Sequence, residues 1–189
     1  EKSNYYALNG EFLSRLFSIS ATAYINNLDN LITSKQVALT ETDIANSITK
    51  RMEYQNVDKA RVKGVDISIN SYLGYGVSLG GSYSYVDAKD TNTDSRLPRS
   101  IKHSGSINSN WNKVWDFYTL NVNLAGRLQS ERFETGTYGN APGYQLWNLS
   151  TRHTFNNLTN FILEPGIGIE NIFNYRDDRP YNSNYATLS

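Results

Sequence analysis

Leu16-Phe17-Ser18-Ile19-Ser20-Ala21-Thr22-Ala23-Tyr24-Ile25 alternates almost without interruption. Phe17, Ile19, Ala21, Ala23 and Ile25 are apolar, and Ser18, Ser20, Thr22 and Tyr24 stand between them. Successive residues of a strand point to opposite faces, so this segment has one apolar and one polar face. The pattern returns along the whole chain, with aromatic residues bracketing each short turn. A soluble sandwich hides such apolar faces in a core; a transmembrane barrel turns them to lipid and keeps the polar face inside. We read the chain as all-β, an antiparallel transmembrane barrel segment occupying residues 1–189.

Composition permits this. The chain has 189 residues, of which 39% are hydrophobic, and its mean hydropathy is -0.54. Those values suit a soluble protein, but barrels escape hydropathy scans because half of each strand faces a polar lumen. No run approaches the roughly 18 apolar residues of a spanning helix. Aromatics reach 13%, with Tyr 14 the largest group, as interfacial girdles require. A net charge of +0 gives no reason to expect nucleic acid. Cys 0 removes disulfides, thiolate metal sites and cysteine nucleophiles together. Glu1-Lys2-Ser3-Asn4 carries no apolar leader. We therefore expect an export signal upstream and a processed, trimmed or partial chain, with no closing strand after the polar residues 182–189.

The alternation predicts about eight strands, joined by short and long connections in turn. The first covers about residues 5–13, with Tyr6, Leu8, Gly10 and Phe12 on one face. Ser14-Arg15 turns into the second, which continues to about residue 32, and 34–50 is a long polar connection. The third, roughly 52–73, places Val65, Ile67, Ile69 and Leu73 opposite Asp66, Ser68 and Asn70. Gly74-Tyr75-Gly76 is a tight turn. The fourth opposes Val77, Leu79, Tyr83 and Tyr85 to Ser78, Gly80, Ser82 and Ser84, before a polar loop at 89–98. The fifth ends at Trp111, and a turn at 112–116 leads to the sixth, with Tyr118, Leu120, Val122, Leu124 and Leu128 on one face. A loop at 130–142 precedes the seventh, 144–155. After a turn at 156–160, Leu163, Ile167, Ile169 and Phe173 share a face of the eighth.

Phe12 and Phe17, Tyr72 and Tyr75, Trp111, Trp115, Phe117 and Tyr118, and Phe155 and Phe161 flank the short turns. With those turns on one side of a membrane, these residues make one girdle; Tyr83, Tyr85, Trp147, Phe173 and Tyr175 make the second. The outward series of the second, fourth, sixth and eighth strands carries no charge, as a cost of roughly 2–4 kcal/mol per mid-bilayer Lys or Arg demands. Lys59, Arg61 and Lys63 share the apolar parity of the third strand. They lie beyond the about 9–11 residues that cross the hydrocarbon, at or above the outer headgroups where cations can meet anionic lipid, or else at an ordinary solvated strand end. A soluble sandwich or jelly roll also alternates, but with strands of about 5–6 residues.

Four stretches resemble those of TonB-dependent outer-membrane receptors. Asn56-Val57-Asp58-Lys59-Ala60-Arg61-Val62-Lys63-Gly64-Val65-Asp66 is similar to the family's N-x3-A-x3-G-x-[ED] stretch. Gly80-Gly81-Ser82-Tyr83-Ser84-Tyr85-Val86-Asp87-Ala88 resembles its Y-x-[YF]-x-[DN]-A strand. Leu97-Pro98 with His103 resembles its LP-x-x-P-x-H continuation, although Ile101 stands at the second proline. Ile169-Glu170-Asn171-Ile172-Phe173-Asn174-Tyr175 is similar to a strand near the family's C-terminus. The resemblance implies about eight strands of a barrel of about 22, its lumen filled by a plug. It implies a transporter whose plug and final strand are not in this segment, and which is driven by the TonB energy-coupling complex acting through that plug. The implied surroundings are the rest of the barrel, outer-membrane lipid and a small-molecule substrate.

No catalytic constellation or cofactor motif is present, and we expect no enzyme. His103 and His153 fall on different strands without ligand spacing. The glycines at 64, 74, 76, 80, 81, 166 and 168 form no phosphate loop and suit turns and close packing. Glu164 and Glu170, and likewise Arg127 and Arg152, have inward parity, where charge pairs meet a plug or water rather than glycosidase chemistry. In a receptor, Arg132, Phe133 and Tyr138 of one loop and Arg176, Arg179 and Tyr181 of the last offer cationic and aromatic contacts. These suit a large anionic or flat chelate, of the siderophore, haem or cobalamin (corrinoid) class. Singly, each also fits a solvated loop or a protein contact. Two other functions are a closed eight-stranded barrel serving as anchor or adhesin, and an outer-membrane hydrolase barrel. An inward Ser–His pair is missing for the second.

Overall fold

A computed structural model of the chain describes residues 2–49, 51–134, 139–158 and 161–177. Its elements are β1 (Lys2–Leu13), β2 (Phe17–Val37), the short helix α1 (Glu41–Ala45), β3 (Arg51–Gly74), β4 (Val77–Asp90), β5 (His103–Val114), β6 (Tyr118–Gln129), β7 (Tyr144–Leu158), β8 (Phe161–Leu163) and β9 (Gly166–Ile169). They form one antiparallel sheet in sequence order, β1 through β8, with β9 paired to β7. β2 and β3 are 21 and 24 residues long, far beyond sandwich strands. Among the described residues, β1 pairs only with β2, so the sheet is an open wall and not a closed small barrel.

Cross-strand register fixes what each face carries. One row runs Phe12, Ile19, Ile69, Gly81, Ile107, Gly126 and Trp147; the next inner row runs Glu11, Ser20, Ser68, Ser82, Ser106 and Arg127. The two predicted faces are thus continuous across the wall. Among the described residues only Ala60, Ala88 and Ala141 are buried hydrophobics, while Leu8 is 77% and Ile167 71% exposed. Among the described residues no second layer covers Ile19, Leu79 or Leu124. Full burial of each large apolar side chain is worth about 1.5–3 kcal/mol, so an uncovered face of this extent belongs against acyl chains.

The rows also slant. Ser18, beside the first turn, connects through Asn70, Gly80 and Asn108 to Ala125 and Asn148, which lie well inside β6 and β7. Successive short turns therefore step down relative to the hydrogen-bond rows. Tilted, staggered strands are what closure of a larger barrel needs.

Four expectations need correction. β5 continues past Trp111 to Val114, leaving a tighter turn, in which the Trp115 N–H donates to the Tyr118 carbonyl at 2.8 Å. The long connection after β2 begins later than residue 34 and contains α1. The last strand is broken into β8 and β9 at Glu164-Pro165, because proline has no N–H for the ladder. Its carbonyl still accepts from the His153 N–H at 2.9 Å. Finally, Phe173 lies in a turn beyond β9, so it shares no strand face with Ile169. Asn171 closes that turn: its side chain bonds both the N–H and the carbonyl of Tyr175, at 2.8 and 3.0 Å. Asn171 and Asn174 have φ of 49° and 50°, a conformation asparagine tolerates better than most residues.

Candidate functional site

The polar face of the wall is a lattice of paired side chains. Residues opposite one another on one face sit about 4.5–5.5 Å apart, so short polar groups meet directly. Ser20 and Ser68 share a hydrogen bond of 2.7 Å, as do Ser82 and Ser106. Thr22 donates to Asn9 at 3.2 Å, and Ser84 donates to Asp66. Further down, Asn110 and Asn121 bond reciprocally at 3.1 and 3.2 Å. A concavity of about 580 Å³ lies against Ser20, Thr22, Asp66, Ser68, Ser84 and Arg127. No carboxylate pairs with Arg127 among the described residues. The surface is polar, neutral over most of its area and largely satisfied by its own side-chain pairs, so it suits contact with water or a polar protein surface more than tight ligand capture.

The motif residues have physical work in this face. Ala60 is 1% exposed and Gly64 is buried. A Cβ at Gly64 would lie 2.5 Å from the Tyr24 hydroxyl and 2.6 Å from the Tyr85 carbonyl oxygen. Tyr24 thus fits into the space that glycine leaves. On the other face, Tyr83 shares a 2.8 Å hydrogen bond with His103 Nδ1, and the Tyr85 ring lies 5.3 Å from the imidazole. His153 is bonded by Tyr118 at 2.6 Å beside Phe155 and Trp115. Both histidines therefore sit within aromatic clusters at opposite margins of the apolar belt. Tyr175 departs from the expected second girdle. Its ring packs 5.5 Å from Tyr144, a position on the polar face.

At the long-loop end, segments 91–102 and 130–143 are tied together. Arg132 exchanges backbone hydrogen bonds of 2.9 Å with Ala141, and the Phe133 N–H donates to the Ser100 carbonyl at 2.9 Å. The Arg99 N–H donates to the Phe133 carbonyl at 2.7 Å. Arg132 Nε meets Glu134 Oε1 at 2.6 Å as an ion pair. Arg96 lies 5.2 Å over the Phe133 ring and 3.5 Å from Glu131. Arg132 and Phe133 are thus brought together as the scaffold of this loop pair, one charge neutralised and one ring face covered. Tyr138, Arg179 and Tyr181 lie outside the described residues. Arg96 and Glu134 went unnoticed in the sequence; Glu134 is only two positions from Arg132, whereas nothing local links Arg96 to Phe133. At the end of β4, Lys89 bonds Asp94 of the following loop at 2.8 Å, which holds the Asp94 carboxyl below its ordinary value.

A one-layer wall with a bare apolar exterior and a hydrogen-bonded polar interior defines a segment of a transmembrane β-barrel. A family model described as "TonB dependent receptor-like, beta-barrel" matches residues 1–172. The chain belongs to that family. Among solved structures it is similar to the ferric preacinetobactin receptor BauA of Acinetobacter baumannii, at 15% identity and a TM-score of 0.68, over 92% of this chain and 25% of that one. It also resembles the copper transporter OprC, at 13% identity and a TM-score of 0.69, over 90% of this chain and 25% of that one. The ferric enterobactin receptor PfeA of Pseudomonas aeruginosa matches at 20% identity and a TM-score of 0.62, over 90% and 25%. These likenesses establish the fold. The chain spans about a quarter of the length of these relatives.

Proposed function

We propose that this segment is barrel wall of a TonB-dependent active transporter in the outer membrane of a Gram-negative cell, importing a large nutrient chelate. The observation that carries it is the register-wide separation of faces in a chain of this family. An exterior without cover needs lipid, and an interior of satisfied serines, threonines and asparagines needs a polar neighbour rather than a dry core. That neighbour is a plug, supplied with the remaining strands by polypeptide outside this segment; the energy-coupling complex acts through it.

The two similar siderophore receptors and the copper transporter favour a metal-bearing substrate. The siderophore class fits best, and haem or cobalamin are the competing classes. Its contacts fall on the loop pair built by Arg132 and Phe133, and on Tyr138, Arg179 and Tyr181. We assign the wall a part in transport and no enzyme activity.

Growth of a receptor-deficient, iron-limited strain carrying the full-length gene tests this. Rescue by a ferric siderophore, lost when TonB is deleted, is the expected outcome. Rescue that persists without TonB would overturn the transporter reading. Rescue by haem alone, or restored growth on cobalamin in a cobalamin-limited strain instead, would overturn the siderophore class only.

A further inference from the structure

Charged side chains on the apolar face gather at one margin. On β3 the outward positions above Val65 are Lys63, Arg61 and Lys59. On β4, Lys89 is the direct register partner of Arg61. Lys102, just before β5, places its ammonium 5.9 Å over the outward-facing Tyr85 ring. Like charges directly opposite in a sheet repel, and Arg61 faces Lys89 with lysines two positions away on its own strand. Acids offset only part of this. Asp87 lies 3.4 Å from Lys63, whose side chain is still 57% exposed, and Asp94 takes Lys89 at 2.8 Å. Arg61 donates only to the neutral Asn27 amide, at 3.0 Å. Asp29 is the register partner of Lys59, but among the described residues no carboxylate forms an ion pair with Lys59, Arg61 or Lys102.

Immediately below this margin the exterior is Val65, Ile67, Ile69 and Tyr83, and beside it stands the Tyr83–Tyr85–His103 cluster. Whatever lies against that apolar belt must be acyl chain, which places its headgroup at the height of the cations. A concentration of uncompensated positive charge at this height is complementary to a phosphate carried by the same molecule. We propose that Lys59, Arg61, Lys63, Lys89 and Lys102 form an outer-wall site for the phosphate-bearing headgroup of an anionic membrane lipid, with its chains against β3 and β4. The site rests on the barrel reading but not on transport, and it faces away from the lumen.

The test uses the full-length protein in nanodiscs of phosphatidylcholine, with or without phosphatidylglycerol, and counts retained phosphatidylglycerol by native mass spectrometry. Each surface cation contributes about fivefold to binding of an anionic lipid. The triple variant K59Q/R61Q/K102Q should therefore lose retention by about a hundredfold. The charge-preserving K59R/R61K/K102R should keep it, as should K113Q at the short-turn margin. Equal retention by wild type and the triple glutamine variant would overturn the site. So would a loss equally large in K113Q. Should the triple variant fail to assemble, salt titration of the wild type decides. Retention that falls with salt supports the site, and salt-independent retention overturns it. A failure of TonB-dependent growth with this site intact would count against transport alone.

Discussion

Two glycines show how single residues set the wall, and why their substitutions should behave differently. At Gly126 the three atoms nearest an added Cβ would all be ring atoms of Trp147, at 2.6–2.8 Å. At Gly64 it would meet the Tyr24 ring and also a backbone oxygen, that of Tyr85, at 2.6 Å. Each alanine should cost about 1–3 kcal/mol of overpacking, read as a lower urea midpoint of the assembled barrel. Trp147→Ala should restore G126A, whereas Tyr24→Ala should not restore G64A. Equal rescue at both would show that the Tyr85 backbone yields. A second contrast concerns the two faces. Val122 stands in the outer row between Trp111 and Thr151, and Asn123 in the inner row between Asn110 and Ser150. Val122→Arg should block assembly through a cost of roughly 2–4 kcal/mol in hydrocarbon. Asn123→Arg gives up a hydrogen bond to Asn108, worth about 0.5–1.5 kcal/mol, and should assemble. Heat-modifiable mobility on gels reads both, and matching behaviour would exchange or abolish the assigned inside and outside.

Among the elements, α1 carries the clearest pH dependence. Thr40 and Asp43 form a reciprocal cap: the Asp43 N–H donates to Thr40 at 3.2 Å and the Thr40 N–H to the Asp43 carboxylate at 2.8 Å. The Thr40 hydroxyl donates to the same carboxylate at 2.7 Å; this bond first, the Thr40 N–H next and then Arg51 at 3.2 Å hold the Asp43 carboxyl below its ordinary value. A carboxylate depressed in the folded state stabilises above its unfolded value and loses that contribution as pH falls through the depressed one. The cap should therefore survive at neutral pH and through mild acid, and release only below the usual carboxylate range. Hydrogen exchange at the Thr40 and Asp43 amides, corrected for intrinsic rates, should rise there and should already be raised at neutral pH in T40A. A rise through pH 6 instead would implicate another group.

The elements also show what a sequence discloses. Alternation revealed both faces of β2 to β6, because each side chain's direction is a local property with a period of two. The capping box lay in plain view at Thr40 and Asp43 but was absorbed into a polar loop. Pro165 was equally visible, yet the apolar parity of Leu163, Ile167 and Ile169 on either side of it concealed the break. Asn171-Ile172-Phe173-Asn174-Tyr175 matched a strand motif and folds as a turn, since side-chain closure by Asn171 depends on geometry that parity does not encode. The loop pair was the least legible part. Arg96 meets Phe133 only because β4, β5 and β6 bring their connections together.

For the whole molecule, the open edge is decisive. β1 has one paired side among the described residues, and an unpaired edge beside an uncovered apolar face invites association. Expressed alone, the segment should aggregate or form detergent-resistant oligomers, and co-expression with the complementary barrel strands should return it to a heat-modifiable species. A monodisperse monomer of the segment alone, measured by light scattering, would contradict this. A different freedom exists at the other end of the wall. β4 stops against β3 at Ala60, while β3 goes on pairing with β2 as far as Arg51. Among the described residues the β3 edge beyond Ala60 is left open on the side where β4 had been, over about 30 Å. A stretch held by one ladder opens more easily than one held by two, so this rim can fray without loosening a single rung of the hull beneath it.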